Sequence, residues 1–140
     1  MVYSPQDILS VKLFEGLEGE ARLKLFEVSK RVEFPVRHTI LQEGDWSFNL
    51  YTILNGSVGI FKEIKGELKR IAVLTQGDCF GEMALFEGKS RSATVTTLET
   101  TTLLEFDKGH LDKLFQREPR IAAQVYYNLG RLLSARLRSS

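Results

Sequence analysis

The chain has 140 residues, 43% hydrophobic and 26% charged, a length that supports one real core and a balance typical of globular rather than disordered, fibrous or membrane proteins. Its 19 basic and 18 acidic side chains leave a formal net charge of +1, so there is no broad electrostatic footprint for a nucleic-acid backbone. The single cysteine, Cys79, excludes an internal disulfide and multi-thiolate metal sites; with no secretion signal and no run of roughly 18 apolar residues, a soluble cytoplasmic chain is expected.

From Pro5 to Ser29, Ile8, Leu9, Leu13, Phe14, Leu17, Leu23, Leu25, Phe26 and Val28 recur at three- and four-residue intervals, with Gly16 and Gly19 between. This predicts two short helices with a break, within residues 5–30. From Arg31 to Asp107 the texture changes to short β-rich runs: VEFPV, HTIL, LYTILNG, SVGIFKE, KRIAVL, SATVTTL and TTLLEF. Turn residues separate them at Gly44-Asp45, Asn55-Gly56, Gly66 and Gly77-Asp78, and such even spacing predicts a sandwich, roll or barrel. Asn55-Gly56 is the strongest hairpin signal, because both residues tolerate the positive φ of a tight primed turn. It predicts that the strands on either side lie next to each other and antiparallel.

After Asp107 the periodicity is helical again, with Leu111, Leu114 and Phe115 on one face. Pro119 suits the first turn of a second helix, where its missing N–H is not needed. In that helix Ile121, Val125, Leu129, Leu132, Leu133 and Leu137 form an apolar stripe, widened by Ala122, Tyr126 and Ala135. Arg131, Arg136 and Arg138 crowd its last turns, which complements the helix dipole. Residues 108–138 therefore read as two helices, the second with more apolar face than one side of a small roll can cover.

One stretch, Gly77 to Thr94, does not read as a strand. Gly77-Asp78 is a turn, Glu82 to Phe86 can make one helical turn with Met83, Leu85 and Phe86 on its apolar side, Glu87 to Ser90 is a polar loop, and Arg91 begins the next strand. The free N–H groups at such a helix start suit a phosphate. Gly81 lets backbone approach closely, Arg91 can bind an anion with two prongs, and the Ser92 hydroxyl can donate a further bond. The Glu82 carboxylate, acceptor-only when ionised, suits a sugar hydroxyl and repels a second phosphate. Together these groups describe a site for a phosphodiester ring fused to a ribose.

The run FGEMALFEGKSRSA resembles the phosphate-binding cassette of the cyclic-nucleotide-binding domains, found in catabolite activator-type regulators, protein kinase A regulatory subunits and cyclic-nucleotide-gated channels. LFEGL from Leu13, EGDWSFNLYTILNGSVGIF, and the tail from Phe106 through Pro119 fall where that family has its N-terminal helices, early hairpin, and B and C helices. The resemblance implies a mainly β fold with flanking helices. Its core would be a double-stranded β-helix, a jelly-roll-like β-roll over 31–107, within one domain spanning 1–140 and carrying its cassette at 80–93. It implies a ligand site of Phe80, Gly81, Glu82, Met83, Ala84, Arg91, Ser92 and Ala93, with Arg136 from the last helix. Gly81 and the N–H groups after it, including that of Ala84, would approach the ligand. Glu82 would accept from the ribose 2′-hydroxyl, Arg91 would pair with the cyclic phosphate, and Ser92 would bond phosphate or base. One departure is visible: the acidic residue that the family often has two positions beyond Trp46 is Phe48 here.

Each of these residues also has an ordinary role. Glu82 and Arg91 alone would read as a loop-to-strand salt bridge, and Arg136 either stacks on the purine or is an exposed charge at a helix end. His38 and His110 are isolated, so the metal-dependent enzymes built on similar rolls lack their ligands here. Cys79 reads as a small buried hydrophobe, and Trp46 and Phe48, beside a turn, as core rather than as the alternative, an exposed contact patch. No acyl-transfer triad or P-loop lysine is present, and the chain is expected not to be an enzyme. The expectation is a sensor of cAMP, with cGMP as the alternative ligand, that signals through movement of its C-terminal helix. That helix either lids the roll or pairs with its copy in a homodimer, which is favoured. Ending at Ser140, where related regulators continue into a helix-turn-helix, the chain is expected to carry no DNA-binding module. The rival expectations are an interaction domain of the same fold that no longer binds nucleotide, and the sensor part of a longer regulator.

Overall fold

A computed structural model describes residues 5–85 and 88–139. Among these residues eight strands form two antiparallel sheets: β1 (Ser29–Phe34), β2 (Thr39–Leu41), β3 (Leu50–Asn55), β4 (Ser57–Ile64), β5 (Glu67–Thr75), β6 (Cys79–Phe80), β7 (Thr94–Thr97) and β8 (Thr101–Phe106). The strand orders are β1-β8-β3-β6 and β2-β7-β4-β5. Consecutive strands thus alternate between sheets in much of the chain, the mark of a jelly-roll-like roll. Inward residues of both sheets, among them Leu41, Tyr51, Ile53, Val58, Phe80, Val95 and Leu103, close on one interior cluster.

The opposite face of the first sheet is also apolar. Leu50 on β3, Cys79 on β6, and Leu104 and Phe106 on β8 pack against the helices, so the period of two along these strands serves two cores at once. On that face lie two N-terminal 3-10 turns (Pro5–Ser10 and Lys12–Phe14), then α1 (Gly19–Glu27), α2 (Lys108–Arg117) and α3 (Pro119–Ser139). Leu13, Leu25, Leu111, Val125 and Leu129 are completely buried there. Asp107 caps α2 by accepting from the His110 N–H at 3.1 Å, and Pro119 opens α3. Among the described residues, no helix is long and apolar enough to cross a membrane.

Several expectations are corrected. Asn55-Gly56 is not a hairpin between paired strands: β3 pairs with β6 and β8, and β4 with β5 and β7. Only Gly56 takes a positive φ, +105°, while Asn55 stays in β3 opposite Thr102. A Cβ on Gly56 would lie 2.6 Å from Thr101 Oγ1 and 2.7 Å from the Thr100 carbonyl oxygen, so the glycine makes a crowded corner between sheets. The tight hairpin is at Lys65-Gly66, where φ is +54° and +81° and Ile64 faces Glu67, as a primed turn requires. Cys79–Phe80 is a strand rather than loop, and the next strand starts at Thr94 rather than Arg91. The first strand begins at Ser29, inside the range expected to be helical. Trp46 is 69% exposed, with its ring edge against Phe48, and Leu137 is 76% exposed instead of closing the apolar stripe.

Candidate functional site

The site is built where β6 ends. Gly81 has φ +79°, and a Cβ there would sit 2.8 Å from the Asn49 carbonyl oxygen and 3.0 Å from Arg91 Nη1. Glycine is thus required both by conformation and by space. The chain then makes one 3-10 turn, Glu82–Leu85, which contains the backbone of Ala84. Of its side chains, Leu85 is buried and Met83 exposed. The expected roles of Phe86, as part of the turn's apolar side, and of Glu87, as the start of the polar loop, lie outside the described residues.

Arg91 is buried, at 7% exposure, in the loop before β7. Its backbone is pinned to the turn before β3, donating to the Asp45 carbonyl at 2.7 Å and accepting from Gly44 N–H at 2.8 Å. Its guanidinium donates to Ser47 Oγ (3.0 Å), the Asn49 carbonyl (2.8 Å) and the Gly81 carbonyl (3.3 Å). All three acceptors are uncharged, and no ion pair among the described residues includes Arg91. Burial accordingly pulls its pKa below the ordinary arginine value, against the opposing influence of Tyr51 and Glu82. A buried cation held by neutral oxygens is suited to receive an anion.

Glu82, 8% exposed, does not pair with Arg91. Its Oε1 accepts instead from Arg136 Nη1 at 2.7 Å, and Arg136 Nη2 donates to the Cys79 carbonyl at 3.0 Å. Arg136 is therefore not a free charge at the helix end; it is clamped to β6 and the 3-10 turn. Cys79 is fully buried, and burial, followed by the nearby Glu82 charge, pushes its thiol up to about 12. It is a packing residue, as expected. Beside it Phe80 stacks on Tyr51, ring centroids 5.1 Å apart.

Glu82, Arg91 and Arg136 line one cavity of about 280 Å³, together with Gly81, Met83, Ser92 and Ala93. Of the expected ligand residues with a described side chain, all meet there, Phe80 included. The lining also has an apolar wall: Leu41, Ile60, Ala72, Leu74 and Val95. Sequence reasoning did not single out that wall. Its signal is cross-strand register, with Ile60 facing Ala72 and Val95, and Val58 facing Leu74. The uncharged acceptors of Arg91, Ser47 and Asn49, were missed as well. The cavity thus combines cations and a carboxylate with a substantial apolar lining.

The family model described as cyclic nucleotide-binding domain matches residues 31–118. The chain belongs to that family. The cyclic AMP receptor protein of Thermus thermophilus is 33% identical over 129 residues, covering 91% of this chain and 58% of that protein. The cAMP-dependent protein kinase regulatory subunit of Debaryomyces hansenii is 33% identical over 104 residues, 74% of this chain and 22% of that protein. Among solved structures, a cyclic nucleotide-binding domain from Methylobacillus flagellatus superposes with a TM-score of 0.85 at 29% identity, covering 92% of this chain and 73% of that one. The chain thus spans little more than half of the first curated relative and under a quarter of the second. The cyclic nucleotide-binding domain here is a roll whose cavity is lined both by Glu82, in the 3-10 turn, and by Arg91, in the loop before β7.

Proposed function

We propose that this domain is a regulatory sensor of cyclic nucleotides, with cAMP as its ligand, rather than a catalyst. The observation that carries the proposal is Arg91: a desolvated guanidinium beside a cavity, held only by neutral acceptors. A monoanionic cyclic phosphate supplies the missing charge. Glu82 accepts from the ribose hydroxyl, the N–H groups following Gly81 face the phosphate, and the purine lies along the apolar wall with Ser92 at its edge. The cavity of about 280 Å³ is at the small end of ligand pockets, roughly 300 Å³ and upward, which suits a single cyclic mononucleotide. Two relatives carry cAMP in their names, which supports cAMP over cGMP. Occupancy is passed on through α3, which touches the cavity at Arg136 and pairs with its copy in a homodimer.

The test is calorimetric titration of the purified chain with cAMP, cGMP and acyclic 5′-AMP, repeated on Arg91→Ala and Arg91→Lys. Binding of cAMP is expected to be tightest, and Arg91→Ala to weaken it by at least about tenfold, as for a truncated buried charge pair. Arg91→Lys keeps the charge but loses the fork, so it falls between. Equal affinity of the wild-type chain and Arg91→Ala for cAMP would refute the proposal.

A further inference from the structure

The carboxylate assigned to the ribose is already engaged. Glu82 is 8% exposed and accepts at 2.7 Å from Arg136, 54 residues further along the chain. The same guanidinium holds the Cys79 carbonyl at 3.0 Å, so the end of α3 is fastened at two points to the segment that forms the site. Apolar packing thins out along the helix: Ile121, Val125 and Leu129 are buried, Leu132 and Leu133 are half-buried against the same core, and Ala135, Leu137 and Arg138 are exposed. Arg136 also lines the cavity beside Glu82, so a sugar ring approaching that carboxylate meets the guanidinium.

Resting on the cyclic-nucleotide reading of this cavity, we propose that Arg136 is a built-in competitor for the ligand: the ribose 2′-hydroxyl takes Glu82 only by displacing Arg136, and that displacement releases the last turns of α3. The exchange replaces a charge-assisted contact with a hydroxyl-to-carboxylate bond. The phosphate on Arg91 has to supply the difference, which lowers affinity. What affinity loses, the helix gains as bias, because a ligand moves an equilibrium only by its differential interaction with the two states. A nucleotide that lacks the 2′-hydroxyl does not contest Glu82 and leaves the helix fastened. If Arg136 instead supported the purine by stacking, its removal would have the opposite sign.

The experiment measures affinities for cAMP and 2′-deoxy-cAMP, with hydrogen exchange in α3, on the wild-type chain and on Arg136→Met and Arg136→Lys. Arg136→Met keeps the aliphatic stem and removes the hydrogen bonds to Glu82 and to the Cys79 carbonyl, and it is expected to bind cAMP about three- to tenfold more tightly. The gain for 2′-deoxy-cAMP is expected to be smaller, and Arg136→Lys to be intermediate. In the wild-type chain cAMP speeds exchange in the last turns of α3 while 2′-deoxy-cAMP does not. In Arg136→Met exchange there is fast from the start. Weaker or unchanged cAMP binding by Arg136→Met, in a wild-type chain that binds cAMP, overturns this inference and leaves the sensor reading standing. A wild-type chain that binds neither nucleotide overturns both.

Discussion

Asn128, buried on α3, donates its side-chain amide to the backbone carbonyl of Leu13 at 2.8 Å. The same nitrogen reaches the Glu15 carbonyl at 2.8 Å, and the Asn128 oxygen accepts from Gln124 Nε2 at 3.0 Å. One side chain therefore ties the helix that touches the cavity to the N-terminal 3-10 turns. Removing it leaves the buried Leu13 carbonyl, and the part-buried Glu15 carbonyl beside it, without this donor, which costs more than the bond itself contributes. Asn128→Ala is expected to lower unfolding free energy by about 1–3 kcal/mol, read as a shift in urea midpoint at unchanged slope. Gln124→Ala, which leaves the two carbonyls satisfied, should cost less than about 1 kcal/mol. Equal midpoints for the Asn128→Ala and wild-type chains would show that the contact is incidental.

Two glycines with nearly the same backbone angle separate strain from crowding. Gly66, φ +81°, turns the β4–β5 hairpin with nothing within 4 Å of an added Cβ, whereas Gly81, φ +79°, has the Asn49 carbonyl oxygen at 2.8 Å and Arg91 Nη1 at 3.0 Å. An L-residue in this left-handed region costs roughly 1–2 kcal/mol, and that cost applies at both. Gly66→Ala is expected to lose about that much stability and no affinity for cAMP. Gly81→Ala is expected to lose more stability and also to weaken binding, since Asn49 and Gly81 carry two of the oxygens that hold the Arg91 guanidinium. Thermal melts with parallel titrations decide it; a Gly81→Ala variant with full affinity would remove Arg91 placement from the account.

Legibility followed the range of each interaction. Gly81, Glu82, Arg91 and Ser92 were readable because their chemistry sits within one short run, and all of them line the cavity. The partner of Glu82 was not: nothing in helical periodicity distinguishes Arg136 from Arg131 or Arg138, and only the fold brings it across 54 residues. The corner at Gly56 failed for a similar reason. A positive φ is needed equally by a hairpin and by a crossing between sheets, and what decides is Thr100 and Thr101 packed against the glycine. β6 has two residues, too few for an alternation to show. The helix order, most of the strand runs and the helix start at Pro119 are local matters, and they were legible.

The outer face of α3 makes its own prediction. Ala123, Tyr127, Gly130, Ser134 and Leu137 are all exposed, and they recur at intervals of four and three, the seam of a paired helix. Tyr127 and Leu137 supply apolar area at 62% and 76% exposure, while Gly130 and Ser134 between them allow close approach. Arg131 lies over the Tyr127 ring at 5.9 Å, at the border of the same strip. Sedimentation is expected to show a species of twice the 15.9 kDa chain mass, and Tyr127→Glu combined with Leu137→Glu to return it to the monomer. A wild-type chain that sediments as a monomer throughout the micromolar range would rule out this pairing.

Alkaline stability tests the burial of the site's foundation. The Cys79 thiol ionises near 9.0 ordinarily but is pushed up to about 12 in the fold, first by burial and then by the Glu82 charge, with Arg136 opposing and Asp78 adding a little. Burial and the neighbouring Glu105 likewise move Tyr51 from 10.0 to about 12. In both cases the folded state holds its proton longer than the unfolded chain does. The stabilisation is complete below the ordinary value, declines as the unfolded chain alone loses its proton, and is gone above about 12. Unfolding free energy should therefore begin to fall from near pH 9, with Cys79 acting before Tyr51. Each group contributes at most about 1.4 kcal/mol per pH unit. Cys79→Ala opens a small cavity and shifts the whole curve, so slopes, not absolute values, are compared. Its urea midpoints are expected to decline less steeply than those of the wild-type chain through the first unit above pH 9, and parallel curves would mean that the thiol is not sealed between β6 and the helices.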